Sequence, residues 1–372
     1  MTPQLEIQII AVIVAIACSI PGVFLVLRSM AMMSDAITHT ILLGIVGAYF
    51  IVFDLSSPVL IIGAAVVGLL TVYLVELLNS TKLLSEDSAI GVVFPLLFSI
   101  AIIIISKYAS SVHLDTDSVL LGELAFAPFN RMVIGSVDIG AKAIYSMGTI
   151  LLINLVLVIV FFKELKLATF DKGLAAVLGF SPILVHYGLM TSVSVTAVGA
   201  FEAVGSILVI AFMVGPPISA YLITNNLKKM LVLSGIIGAV NAVAGYQIAE
   251  FFDVSIAGCM AAVTGLTFML VFVFAPKRGI ITIMRRRKYQ EIDFAAKTML
   301  FHVYNHEGNE NEYIENGIVS ICNHLNWQKD FLERIVMRLK IDNYIIETNG
   351  IFKLTDEGRE YTVRSYEEIV AQ

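Results

Sequence analysis

The chain has 372 residues, 58% hydrophobic and 15% charged, with a net charge of −6 and a mean hydropathy of +0.87. Soluble domains carry roughly 25% charged residues, so a wholly soluble protein is excluded and a polytopic membrane protein with a soluble part is expected. Three scattered cysteines, Cys18, Cys259 and Cys322, form no CxxC pair, which argues against a disulfide framework and a zinc knuckle.

A membrane span needs about 20 predominantly apolar residues. By that measure spans are expected near 5–27, 35–53, 58–78, 89–106, 142–162, 182–198, 202–223, 229–251 and 254–275, eight or nine in all. The first lacks a basic leader and reads as a retained span, not a cleavable signal. With the N-terminus outside, one set of loops holds Arg28, Lys82, Lys163, Lys166, Lys172, Lys228, Lys229, Lys277, Arg278 and the 285–288 cluster. The opposite set holds only Lys107, Arg131 and Lys142. With nine spans the positive-inside rule then places the acidic C-terminal tail in the cytoplasm.

Between the first two apolar runs lies Ser34-Asp35-Ala36-Ile37-Thr38-His39-Thr40. Asp35 and His39 are four residues apart, so a helix projects both from one face. An acid and an imidazole inside an apolar segment are costly unless used, and together they suit manganese, iron or zinc. The outer connection, 107–141, carries His113, Asp115 and Asp117, best read as a solvated acidic loop. The inner connection, 163–181, offers Asp171 as the cap of a short helix through Ala175 and Ala176, stopped by Gly179 and Pro182. Such a helix is a surface on which a soluble partner could push, or one resting at the interface. Glu202 is expected at the head of the seventh span, lumen-facing or interfacial, and Gly215-Pro216-Pro217 is expected to kink or end that span.

The charge balance changes near Met284: residues 1–288 sum to +1 and residues 289–372 to −7. This divides the chain into a transmembrane domain (1–284), a basic linker (285–292) and a cytoplasmic domain (293–372). In the last, helical patterns at 293–306, 312–324 and 330–340 precede two short strands flanking Asn349-Gly350, a hairpin signal. Three helices and a two-stranded wing describe a winged helix. Lys329, Arg334, Arg338 and Lys340 on its third helix are offset by Asp330 and Glu333, and an acidic domain is poorly suited to phosphate neutralisation. A protein-interaction or regulatory role is therefore preferred to binding nucleic acid. The fold class expected is an all-α polytopic membrane protein of eight or nine transmembrane helices, with a small C-terminal winged-helix (α+β) domain.

The run Gly22 to His39 resembles the entry to the second span of the manganese/zinc/iron permeases, the membrane subunits of bacterial ATP-binding-cassette metal importers. The resemblance continues through Glu86-Asp87-Ser88-Ala89-Ile90-Gly91 and Leu121-Gly122-Glu123, then Phe170 to Gly179 and Ala203-Val204-Gly205-Ser206, to Ala275-Pro276-Lys277-Arg278-Gly279. It implies a homodimeric permease without chemistry of its own, moving a divalent ion by alternating access while a partner ATPase hydrolyses ATP. An extracytoplasmic solute-binding protein would deliver the metal. It also implies Asp35 and His39 as pathway ligands, with other donors from water, the second subunit or neighbouring groups. Manganese, hard and partly hydrated, is slightly favoured over zinc or iron. The inner helix, with Phe170, Asp171, Leu174, Ala175, Leu178 and Gly179, would dock on the ATPase. Glu202, a further metal candidate, stands where a neutral polar residue is usual, which departs from the family pattern. The tail resembles the winged-helix module of metal-dependent repressors. The alternatives are a secondary metal-ion transporter and a membrane-anchored winged-helix regulator.

Overall fold

The computed structural model describes residues 2–53, 57, 59–108, 124–134, 137–309 and 312–370. His113, Asp115, Asp117 and the Leu121-Gly122-Glu123 segment lie outside them. The chain forms two compact units, Met1–Gly279 and Ile280–Gln372.

Among the described residues of the first unit, nine helices are long and apolar enough to cross a membrane. They are α1 (Pro3–Leu27), α2 (Ala31–Val52), α3 (Val59–Ser80), α4 (Glu86–Tyr108), α5 (Lys142–Val160), α8 (Pro182–Val204), α9 (Ser206–Ile223), α10 (Leu227–Phe252) and α11 (Ile256–Phe274). Between α5 and α8 run two shorter helices, α6 (Phe162–Phe170) and α7 (Lys172–Val177). A short hairpin, β1 (Arg131–Ile134) with β2 (Val137–Ala141), precedes α5.

The central element is α1. Its residues are apolar on all sides, as a helix surrounded by other helices requires, and it packs against α5, α8, α9 and α10. Small residues set the closest approaches. A Cβ at Gly44 of α2 would run into the Gly63 carbonyl and the Ala64 backbone of α3, so α2 and α3 meet backbone to backbone. Some polar groups bond across the bundle: Thr71 Oγ1 donates to Thr40 Oγ1 at 2.8 Å, and Asn154 of α5 bonds Ala17 O of α1 and Thr196 of α8.

Two sequence expectations change here. Pro216 and Pro217 do not end their helix, because α9 runs unbroken from Ser206 to Ile223. Ser219 Oγ donates to Gly215 O at 2.8 Å, and the Met213 carbonyl released by Pro217 faces Gly22 of α1, where the missing side chain admits it. The break falls earlier, at Gly205, whose φ of +79° separates α8 from α9. The sixth and seventh spans are therefore 182–204 and 206–223, not 182–198 and 202–223.

The second unit comprises α12 (Ile280–His306), α13 (Glu312–Glu315), α14 (Ile318–Leu325), α15 (Lys329–Ile341), the hairpin β3 (Ile345–Thr348) and β4 (Ile351–Leu354), and α16 (Asp356–Val370). Met299 and Val303 of α12, Ile321 of α14, Ile335 of α15 and Phe352 of β4 form its core. The hairpin turns at Asn349 (φ 54°) and Gly350 (φ 81°), the left-handed pair that an Asn-Gly turn favours. Residues 285–292, expected as a linker, are helical and belong to α12. The helix expected over 312–324 is two helices, because Gly317 bridges Ile351 and Asn316 O accepts from Phe352 N at 3.0 Å. That pairing holds residues 316–317 extended along the hairpin edge.

Candidate functional site

Asp35 and His39 lie on the second and third turns of α2. The rise of an α-helix puts His39 about 12 Å from the helix start, well into the span. His39 Nε2 and Asp35 Oδ1 are 3.3 Å apart, with about a quarter and a third of their side chains exposed. Nitrogen and oxygen ligands held about 2.1 Å from a tetrahedral ion sit about 3.4 Å from each other, so the pair already has the spacing of two coordinating atoms. Phe94 and Phe98 of α4 flank the imidazole, with ring centroids 5.1 and 5.9 Å away. They present a water-poor wall on one side, while the oxygen and nitrogen remain accessible on the other. Such a pair can replace part of a divalent ion's hydration without enclosing it.

Glu202 does not join this pair. It ends α8 and does not begin the seventh span, and its Oε1 pairs with Lys142 Nζ of α5 at 3.3 Å. Both line a small recess with Asn130, Ser146 and Gly199. A lysine held against the carboxylate offsets the charge that a cation would use. Also near the starts of α1 and α5, Arg131 pairs with Glu6, a buried acid of α1, and with Asp138.

The connection between α5 and α8 is built as its residues suggest, with one addition. Asp171 Oδ1 accepts from Leu174 N at 2.8 Å and caps α7. Gly179 (φ 86°) closes α7, with Gly179 N and Phe180 N donating to Ala176 O and Ala175 O. The addition is α6, whose Lys163-Glu164-Leu165-Lys166 stretch hides its periodicity behind charge. Phe170, Leu174 and Leu178 are exposed, and so is Val177, at 85% the most exposed apolar side chain of the group. Ala175 is fully buried, so it holds α7 in place and does not form part of its outer face.

A polar cluster that sequence reasoning missed lies beside α6. Arg28, just past α1, donates from Nε to Thr169 Oγ1 of α6 and from Nη1 to His186 Nδ1 of α8, both at 3.2 Å. His186 Nε2 is 2.7 Å from Glu76 Oε1 of α3, near enough for an ion pair but poorly aligned for a hydrogen bond. Because Nδ1 accepts from the guanidinium, the imidazole proton belongs on Nε2, facing the carboxylate. Burial lowers the Arg28 pKa from its ordinary value. The cluster ties α1, α3 and α8 to α6, and so links the transmembrane bundle to the helix preceding α7. The available signal was Glu76, an acid within an apolar run.

Residues 5–275 match the ABC 3 transport family. The chain belongs to that family. Among its relatives, the manganese transport system membrane protein MntD of Bacillus subtilis is 48% identical over 271 residues, 73% of this chain and 92% of MntD. The zinc transport system membrane protein TroD of Treponema pallidum is 41% identical over 355 residues, 95% of this chain and 96% of TroD. A solved structure, PsaBC from Streptococcus pneumoniae in complex with Fab, superposes with a TM-score of 0.63 at 28% identity, covering 76% of this chain and 96% of that one. The family match ends before α12, but a 355-residue alignment must extend beyond the first unit, so TroD shares at least much of the C-terminal unit. These relatives are membrane subunits of transport systems, and this chain is likewise a multi-pass transport subunit and not an enzyme.

Proposed function

We propose that this chain is the permease subunit of an ATP-binding-cassette importer for a divalent transition metal, with manganese favoured over zinc or iron. The observation that carries the reading is the Asp35–His39 pair, 3.3 Å apart inside a span and half-sheltered by Phe94. Two protein donors leave most of the coordination sphere to water or to a second copy of the chain, which a hard, partly hydrated ion tolerates best. The 48% identity to MntD over 271 residues supports manganese, while the TroD name keeps zinc in competition.

Two copies would form the pore and face an extracytoplasmic solute-binding protein. On the cytoplasmic side, Phe170 at the end of α6 and Leu174, Val177 and Leu178 of α7 and its cap would dock on the ATPase. The Arg28–Glu76–His186 cluster would pass movement of α6 to α1, α3 and α8, converting hydrolysis elsewhere into alternating access here. The second unit would be a cytoplasmic winged-helix domain, with α14 and α15 as its helix pair and β3–β4 as its wing. Its acidic balance supports protein contact in preference to DNA.

The test is uptake into proteoliposomes holding this chain, its ATPase and its binding protein, with manganese, zinc and iron in competition. ATP-dependent uptake, lost in Asp35→Ala and His39→Ala while dimerisation and ATPase docking persist, is the expected result. Normal uptake by both variants would remove the pair from the pathway, and uptake indifferent to ATP would overturn the importer.

A further inference from the structure

Three of the six histidines of the chain, His302, His306 and His324, gather in one patch of the C-terminal unit together with Glu315. We propose that His302, Glu315 and His324 form a binding site for a divalent first-row transition ion, with zinc preferred to manganese. This site lies within the second unit and does not rest on the transport reading.

The three residues come from three helices: His302 from α12, Glu315 from the end of α13 and His324 from the last turn of α14. Each offers one ligand atom, and these atoms all lie within 4.8 Å of one another. Glu315 Oε2 and His324 Nδ1 are 3.0 Å apart, already near the about 3.4 Å edge of a tetrahedral site. The remaining closure is within reach of side-chain rotation, because Glu315 is partly exposed and His324 half-exposed.

The surroundings supply the support that metal ligands need. His302 Nε2 lies 3.0 Å from the Glu315 carbonyl oxygen, so that a proton on Nε2 is donated to it and Nδ1 keeps its lone pair. An imidazole that ligates through one nitrogen and donates to a backbone carbonyl through the other is the usual arrangement around a protein-bound metal. Ser320 Oγ donates to Glu315 Oε2 at 3.1 Å and orients the carboxylate. His306, one turn beyond His302 with ring centroids 4.7 Å apart, provides a further imidazole at the margin.

Two imidazoles and one carboxylate form the donor set of an open zinc site, with a fourth position left for water. The same set binds manganese more weakly, following the order of divalent ion affinities. Bound metal would further tie the four-residue α13 to α12 and α14.

The test uses the purified, metal-free, full-length protein titrated with cobalt(II) and followed by visible absorption, with zinc as competitor. The Asp35→Ala/His39→Ala protein is expected to keep one zinc-displaceable cobalt per chain with a four-coordinate spectrum. His302→Gln/His324→Gln in that background should lose it, and His324→Gln alone, at a half-exposed position that tolerates change, should weaken it at least about tenfold with the melting temperature unchanged. The proposal is overturned if the Asp35→Ala/His39→Ala protein binds no zinc-displaceable cobalt. It is equally overturned if His324→Gln and His302→Gln/His324→Gln bind cobalt as the parent does. Failure of the transport reading would appear separately, as undiminished uptake by Asp35→Ala and His39→Ala.

Discussion

The contact between α2 and α3 sets where Asp35 and His39 stand, and two glycines one turn apart on α2 test it. A Cβ added at Gly44 would lie 2.5 Å from the Ala64 Cα, whereas one added at Gly47 meets nothing within 4 Å. Carbon atoms in contact prefer about 3.5–4.0 Å, so Gly44→Ala must part the two helices by about 1 Å or more. Overpacking of this kind costs about 1–3 kcal/mol. Both substitutions share the helix-propensity gain of about 1 kcal/mol, which cancels when the two variants are compared. The difference between them is then the steric cost alone. With about 2–4 °C per kcal/mol for a domain of this order, Gly44→Ala should melt at least about 2 °C below Gly47→Ala in detergent. Its uptake should fall as well, because α2 carries the Asp35–His39 pair. Equal melting temperatures, or a higher one for Gly44→Ala, would refute the backbone-to-backbone packing.

Two further outcomes concern the coupling side. Asp171→Ala removes the side-chain cap of α7 and should destabilise that helix by about 1 kcal/mol, lowering ATPase co-purification, while Asp171→Asn should retain most of it. Co-purification unaffected by Asp171→Ala would detach α7 from docking. Arg28→Gln breaks the bonds to Thr169 and His186. Glu76 is about a third exposed and His186 much less, so the loss should fall between the surface and buried limits, about 1–3 kcal/mol. ATP hydrolysis should continue with less metal moved per ATP; an unchanged ratio would show that the cluster does not couple the two.

Much of the membrane unit could be read from composition because a lipid-spanning helix must satisfy its backbone internally and present about 20 apolar residues. The Asp35–His39 pair was visible for the same reason, since two ionisable groups four residues apart stand out in an apolar run. The cap at Asp171 and the Asn349-Gly350 turn are local chemistry, complete within a few residues. The α16 helix could have been found the same way: Thr355 Oγ1 accepts from Gly358 N, ahead of the acidic first-turn residues Asp356 and Glu357.

What composition could not place depends on partners distant in the chain. Glu202 is a free acid in sequence and an ion pair in the fold, because Lys142, sixty residues earlier, is brought beside it. Arg28, Glu76 and His186 become one cluster only when α1, α3 and α8 meet. The boundary at Gly205 was hidden because hydropathy continues through it while the backbone does not. In the C-terminal unit, the helix pattern over 312–324 yielded at Gly317 to a bridge with Ile351, a contact across thirty-four residues. Local chemistry and the lipid solvent thus determined which runs become membrane helices and which ionisable pair stands within one. Tertiary packing alone decided which charges neutralise one another, because side chains far apart in sequence become neighbours only after the helices have packed.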